Sequence, residues 1–220
     1  MIILPKYFLK MKKSIFFTLL LVSVLSVQAQ RFTGGFMAGV VGSQVDGDTY
    51  SGYDKAGALL GGYINIKFHD YYAFQMELEY SMKGSRHIAN PDKGDYNTYK
   101  LNVNYISVPV LFQYNFYKSF IGEAGLESSI LLSHKEISND VTLDGPEYPG
   151  FATQNLSIIF GVSYKINDIW KVNIRTDNSL FSIRTKPANG LLPGGYIKRF
   201  WENEYGQFHN SIAISAFYRL

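Results

Sequence analysis

The sequence has no cysteine among its 220 residues. That excludes disulfides, thiolate metal centres and a lipidated N-terminal cysteine, and it leaves an oxidising compartment chemically unobstructed. Stability must then come from packing and hydrogen bonding alone. Past the first thirty residues there is also no apolar run near the roughly 20 residues that a membrane-spanning helix needs. No cofactor is expected from any motif, and no metal site has the spacing of a calcium loop or a zinc centre.

The one long apolar run, Ser14 to Val27, follows Lys12 and Lys13 and precedes the small-residue site Val27-Gln28-Ala29. This is the pattern of a secretory signal, so residues 1–29 are expected to be a targeting segment and 30–220 the mature domain. Met11 begins a cleaner version of the same signal and is the expected alternative start. The segment carries four lysines and no acid, so its removal takes the net charge from +3 to −1. The basic pI therefore belongs to the discarded part, and no nucleic-acid partner is expected.

What the remainder has in abundance is aromatic residues, 16% of the chain, placed in alternation with polar ones. In Tyr72-Ala73-Phe74-Gln75-Met76-Glu77-Leu78-Glu79-Tyr80 every even position is large and apolar, and a period of two with one apolar face is a strand. The same period runs through Ala58 to Phe68, Phe120 to Leu132, Leu156 to Ile166, Trp170 to Ile174 and Ile212 to Leu220. A glycine-rich segment near Phe32 to Ser43 and a stretch from Tyr99 to Phe116 make eight. In the last of these the apolar phase changes just before Pro109, which suggests a bulge or the top of a membrane span.

The connections alternate in length. Short ones fall at His69-Asp70, Tyr117-Lys118 and Asn167-Asp168, and long ones at about Val45 to Lys55, Lys83 to Thr98, His134 to Gln154 and Ile183 to Phe208. Phe68, Tyr72, Tyr114, Phe116, Phe120, Tyr164, Trp170 and Tyr218 all fall near the short-turn edge in the apolar phase, as an interfacial girdle requires. The expected fold is all-β, an eight-stranded antiparallel up-and-down transmembrane barrel in the bacterial outer membrane, with short periplasmic turns and long outer loops. A soluble lipocalin-like barrel also alternates, but keeps its apolar face inside. The signal, the girdle and the loop alternation favour the membrane.

These residues resemble the PorT-like outer-membrane β-barrel family. The likeness covers nearly the whole mature chain: Ala73 to Gly84, the Tyr-Ile-Ser-Val-Pro-Val-Leu stretch at 105–111, Phe120 to Leu132, and Phe160 to Arg175. Tyr80, Lys83, Gly84 and Pro109 are its most specific residues. The resemblance implies an outer-membrane barrel domain without catalytic residues, and links the chain to components of the type IX secretion system. Where the family often has Arg-Tyr and then Gly-Leu after the seventh strand, this chain has Arg175-Thr176-Asp177-Asn178-Ser179-Leu180, so only Arg175 carries over, as a lumen residue.

The polar phase supplies the candidate site. Glu77, Glu79, Glu123, Glu127, Arg175 and Asp177 would form a charge network in the lumen. Glu77 and Glu123 are expected to meet Arg175, because strands three and seven face each other across an eight-strand barrel. A salt-bridged plug and a narrow gated channel are both open readings. In the fourth long loop Tyr196, Arg199, Phe200, Trp201 and Tyr205 combine aromatics with arginine, the composition of recognition surfaces, although packing on the rim explains them as well.

Catalysis is not expected. His69, His87, His134 and His209 are scattered, and none neighbours a nucleophile with a third orienting group. Asp46, Asp48 and Asp54, with Asp140, Asp144 and Glu147, read as solvated acidic loops. The expected partners are outer-membrane lipids and a protein or envelope component met through the outer loops. The functional readings are a structural or interaction protein, a narrow channel or secretion-associated component, and an outer-membrane enzyme acting on lipid or peptide.

Overall fold

The computed structural model describes residues 32–143, 148, 150–185, 195–202 and 204–220. The expected targeting segment 1–29, Asp144 and Glu147 lie outside them. Eight long strands carry the fold: β1 (Phe32–Asp46), β2 (Lys55–Lys67), β3 (Tyr72–His87), β4 (Tyr99–Tyr117), β5 (Phe120–Ser138), β7 (Gln154–Lys165), β8 (Trp170–Ser179) and β10 (Gly206–Arg219). Two-residue strands β6 (Val141–Thr142) and β9 (Arg184–Thr185) extend β5 and β10 at the long-loop end.

Each long strand pairs antiparallel with the next, and β10 returns to β1 in the register Gly35↔Arg219 through Asp46↔Phe208. The ring is closed, so no long strand is left with an unpaired edge. That is the condition for a sheet to exist in hydrocarbon, where an unpaired backbone amide has no water to bond. The short turns are built for tightness. At the β7–β8 turn the Asn167 side-chain oxygen accepts from the backbone amides of Ile169 (2.9 Å) and Trp170 (2.8 Å).

The alternation sorts faces with the apolar side outward. On β3, Tyr72, Phe74, Met76 and Leu78 are exposed while Gln75, Glu77, Glu79, Ser81, Lys83 and Ser85 are buried. All eight girdle aromatics are exposed on the outer wall. Phe68, Tyr72, Phe74, Tyr114 and Phe112 contact one another in a continuous ring-to-ring patch. On β4 the outward apolar residues run from Phe116 up to Ile106. Ten residue steps at ~3.3 Å each, tilted by about 40°, give a belt about 25 Å tall, the thickness expected of an outer-membrane barrel.

The phase change in β4 has a different cause from a bulge at Pro109. Burial alternates without interruption through that strand, with Tyr99, Leu101, Val103, Tyr105, Ser107, Pro109, Leu111 and Gln113 all inward. The outward face turns polar at Asn104, Asn102 and Lys100, above the belt, while the inward face turns apolar at the same height. The register shift lies higher and on the partner strand: Asn104 pairs with Ser133 but Tyr105 with Leu131, leaving Leu132 of β5 as the extra residue.

Strand lengths correct the loop boundaries. β3 continues to His87, so Lys83 stands inside the barrel and not in a loop. β5 runs to Ser138, which places Glu136 on a strand, and Arg184 lies on β9. The interior holds two apolar clusters. Val45, Tyr99, Leu101, Val103, Tyr105 and Ile183 fill the outer end, and Met37, Val41, Leu59, Ala213 and Phe217 fill the wall formed by β1, β2 and β10.

Candidate functional site

The remaining interior is a ladder of charge. At its lower level, nearest the short turns, β3, β4, β5 and β8 project Gln75, Gln113, Glu123 and Asn173 inward. Gln113 Nε2 donates to Gln75 (3.1 Å) and to Glu123 (3.1 Å), and Asn173 Nδ2 donates to Glu123 (2.7 Å). Glu123 therefore finds neutral amides, not Arg175, as its direct partners, and among the described residues no cation lies within 4.0 Å of it.

One step up, Arg175 of β8 crosses to β3. Its Nη1 donates to Glu77 (2.7 Å) and its Nη2 to Glu79 (2.5 Å), with all three side chains almost wholly buried. Gly161, paired with Arg175 on one side and Glu123 on the other, makes room for this crossing. A Cβ there would stand 2.8 Å from Arg175 Cβ and 2.9 Å from a Glu123 carboxylate oxygen.

Above it, Lys83 from β3 reaches Glu127 of β5 (2.9 Å) and Asp177 of β8. Ser129 donates to Glu127 (2.8 Å) and Ser211 to Asp177 (3.0 Å). The void left between these two ion-pair levels is about 10 Å³, lined by Glu79, Lys83, Arg175 and Asp177 among others. That is scarcely the space of a single water. Next comes His209 of β10, its ring nitrogen 3.1 Å from the Tyr105 hydroxyl, and then the outer apolar cluster.

A third ion pair lies at the outer end. Arg184 forms two hydrogen bonds to Glu136 (2.6 and 3.1 Å), Tyr99 donates to the same carboxylate (2.7 Å), and Arg184 also donates to Gln207 (2.9 and 3.1 Å). Gln207 in turn donates to the Gly47 carbonyl at 3.1 Å, which ties loop 47–54 to the barrel. That loop is clamped a second time by Tyr50, whose ring stacks on His87 (4.5 Å) and on Tyr99 (5.0 Å). Asp48 is buried beneath it. Burial pushes its carboxyl up to about 6, although the Tyr50 amide donates to it at 2.9 Å.

The chain traced by these residues matches the model of one protein family, described as outer membrane protein beta-barrel domain, over residues 28–184. The chain belongs to the outer membrane protein beta-barrel domain family. It is a protein of the bacterial outer membrane. Among solved structures, it is similar to Ail, the attachment invasion locus protein of Yersinia pestis, at 12% identity over 86% of this chain and 98% of that one, with a TM-score of 0.47. Neisserial surface protein A is similar at 7% identity over 86% and 96%, also with a TM-score of 0.47. None of the curated protein sequences compared with it matches.

In this family member the fourth-loop aromatics divide into two groups. Arg199 donates to the Ser179 carbonyl, lies 3.7 Å from Asp46 and covers the Phe208 ring at 4.2 Å, and Trp201 Nε1 donates to the Leu180 carbonyl at 2.6 Å. These two fasten the loop to the rim. Phe200 is 95% exposed, packed only edge-on against Trp201, and Tyr205 is exposed as well, while Tyr196 is half-buried.

The four histidines are spread over the barrel. His69 sits in a short turn, His87 pairs with Asp95 (2.6 Å), His134 packs on Phe151, and His209 is enclosed in the lumen. Among the described residues no three metal-ligating side chains converge.

Proposed function

We propose that the protein is a non-catalytic barrel with a closed interior, serving the outer envelope as a scaffold that presents its outer loops to a protein or envelope partner. The observation that carries this is the stacked pair of ion-pair levels, Arg175 with Glu77 and Glu79, and Lys83 with Glu127 and Asp177, separated by so small a void. Ion pairs held this way in low dielectric lose several kcal/mol if broken, so they act as latches and not as a hydrated path. With the bore filled, chemistry available to other molecules lies on the two ends.

At the outer end the protruding Phe200 and Tyr205, held up by the anchored Arg199 and Trp201, are the features suited to contact, since exposed aromatics beside arginine make recognition surfaces. The resemblance to the PorT-like family supports the same reading through residues that have structural work to do. Lys83 supplies the upper latch, and Gly84 adopts φ +147° where its backbone closes on β4. An association with the type IX secretion machinery is the finer form of this proposal.

The test uses the absence of native cysteine. Phe200→Cys is expected to react with a membrane-impermeant maleimide on intact cells, and Lys118→Cys in a short turn only after the outer membrane is permeabilised. The reverse pattern would turn the barrel over and remove the loops from the cell surface.

A further inference from the structure

The short-turn end of the interior carries cations of its own. The acids Glu77, Glu79, Glu127 and Asp177 are latched above it and Glu123 sits among amides just below them, whereas the cations Lys67, Lys165, Lys171 and Arg219 all line one cavity of about 200 Å³ at that end. Asp70 and Asp168 are the acids on its rim. Among the described residues only Lys67 is paired with either, at 3.5 Å from Asp70, and both members of that pair are exposed. Among the described residues Lys165, Lys171 and Arg219 have no carboxylate within 4.0 Å. The lining holds four cations and two acids, an excess of two positive charges, and the next acid inward is Glu123, whose charge acts on Lys171 from beyond the lining.

The floor of the cup is ordered. Lys171 is held from beneath by the Phe217 ring, 4.2 Å from its ammonium, and donates one hydrogen bond, to Gln75 Oε1 at 3.1 Å. An ammonium has three donors, and among the described residues the other two are uncommitted. Gln75 is itself fixed by Gln113, and Gln113 by Asn65 (2.8 Å), so the lysine does not need to be organised by an incoming group. A concave wall with an excess of one sign of charge concentrates counter-ions. At about 30 Å³ for each water, the space holds an anionic group of a few non-hydrogen atoms, and the rest of a larger solute would lie outside the mouth.

We propose that this cup binds an anionic group of the carboxylate or phosphate class arriving from the periplasm, with Lys171 at its floor and Lys165 and Arg219 at its mouth. The occupant is either a small free anion or the carboxylate end of a periplasmic peptide. The site is separate from the outer loops, so it can fail without affecting the scaffold reading, and the reverse holds too.

The experiment is calorimetric titration of the folded full chain, in a non-ionic detergent at low ionic strength, with inorganic phosphate, N-acetyl-alanyl-alanine and the C-terminal amide of that dipeptide. The comparison protein is Lys165→Gln/Arg219→Gln, whose changes fall on exposed, unlatched residues and whose folding is checked by heat-modifiable migration. Binding of phosphate alone identifies a free-anion site, and binding of the dipeptide in preference to its amide identifies a peptide end. In either case the double variant should bind roughly tenfold more weakly or worse, with added salt weakening the wild type. Absence of heat from all three probes, or equal binding by the double variant, would overturn the proposal.

Discussion

The ammonium of Lys83 on β3 lies against the carboxylate of Asp177 on β8, spanning the bore, and the same ammonium is shared with Glu127 on β5. One cation thus joins three strands that are not neighbours in the sheet. Removing it would leave two buried carboxylates facing each other without a counter-charge, so Lys83→Met should destabilise the folded barrel by about 3–5 kcal/mol. Denaturant unfolding in detergent, followed by loss of the heat-modifiable band, measures this. An unchanged midpoint would show that the latch contributes nothing.

Arg175 is expected to behave similarly, joining the same β8 and β3 one level lower, from the opposite strand. Arg175→Leu strands Glu77 and Glu79, at a cost of about 3–5 kcal/mol. Glu79→Gln alone, which leaves the Glu77 contact, should cost less. Equal losses for the two variants would mean that the 2.7 Å contact to Glu77 is not an independent anchor.

Glycines differ in what they permit. At Gly84 φ is +147° and a Cβ would stand 2.0 Å from the Leu101 carbonyl oxygen, so Gly84→Ala forces β3 away from β4 and should cost at least the ~1–3 kcal/mol of a strained backbone. Gly94 also has positive φ, +75°, yet meets nothing within 4 Å. Gly94→Ala should therefore cost no more than ~1 kcal/mol. Thermal unfolding of the two variants side by side separates steric from conformational loss.

Asp48 supplies a pH dependence. Its carboxyl, at about 6 in the folded protein against an ordinary 3.8, is raised chiefly by burial. An acid raised on folding favours the fold while it is protonated in both states. That advantage is lost as pH climbs from about 4 through 6, and the ionised form carries the full penalty above. Two units correspond to at most ~3 kcal/mol. Asp48→Asn, which keeps the acceptor for the Tyr50 amide, should stabilise loop 47–54 more at neutral pH than at pH 4. Amide exchange at Tyr50 reads the effect, and a pH-independent gain would rule out the ionisation.

In the fourth loop Phe200→Ser should leave stability unchanged within ~0.5 kcal/mol, because its ring is in water. Trp201→Ala removes the hydrogen bond to the Leu180 carbonyl and should loosen the loop by about 1–2 kcal/mol. Limited proteolysis across residues 195–202 distinguishes the two.

The strands are legible in the sequence where lipid imposes an apolar phase on one wall, as from Phe74 to Tyr80 or Leu156 to Ile166. Their ends are not, because above the belt the outer wall meets water and the alternation loses its contrast. Lys83 is the instructive case. The inward phase of Glu77 and Glu79 continues through Ser81, Lys83 and Ser85, and following it four residues past Glu79 finds the upper latch. Lysine and glycine side by side look instead like the start of a loop.

Height in the barrel is harder still. Counting residues from the short turns sets Glu77 level with Arg175 and Glu123 about two residues lower, near enough to be expected to meet it, but shear between neighbouring strands means that such counts do not give height directly. The guanidinium meets Glu77, as the count expects, and Glu79, while Glu123 falls among the amides below. Glu136 lies past the extra residue Leu132, where the alternation of β5 is interrupted, and Arg184 lies on a two-residue strand, so neither carries a periodic signal. Within the fourth loop composition alone does not separate the anchors Arg199 and Trp201 from the exposed Phe200. Only their contacts do.

The closed interior is tested most directly by single-channel recording of the purified wild-type barrel in planar bilayers. The latched structure predicts an electrically silent membrane, with conductance appearing only when Lys83 and Arg175 are replaced together by small residues. Stable, ohmic steps from the wild-type protein would contradict it and make the charge ladder a conduction path.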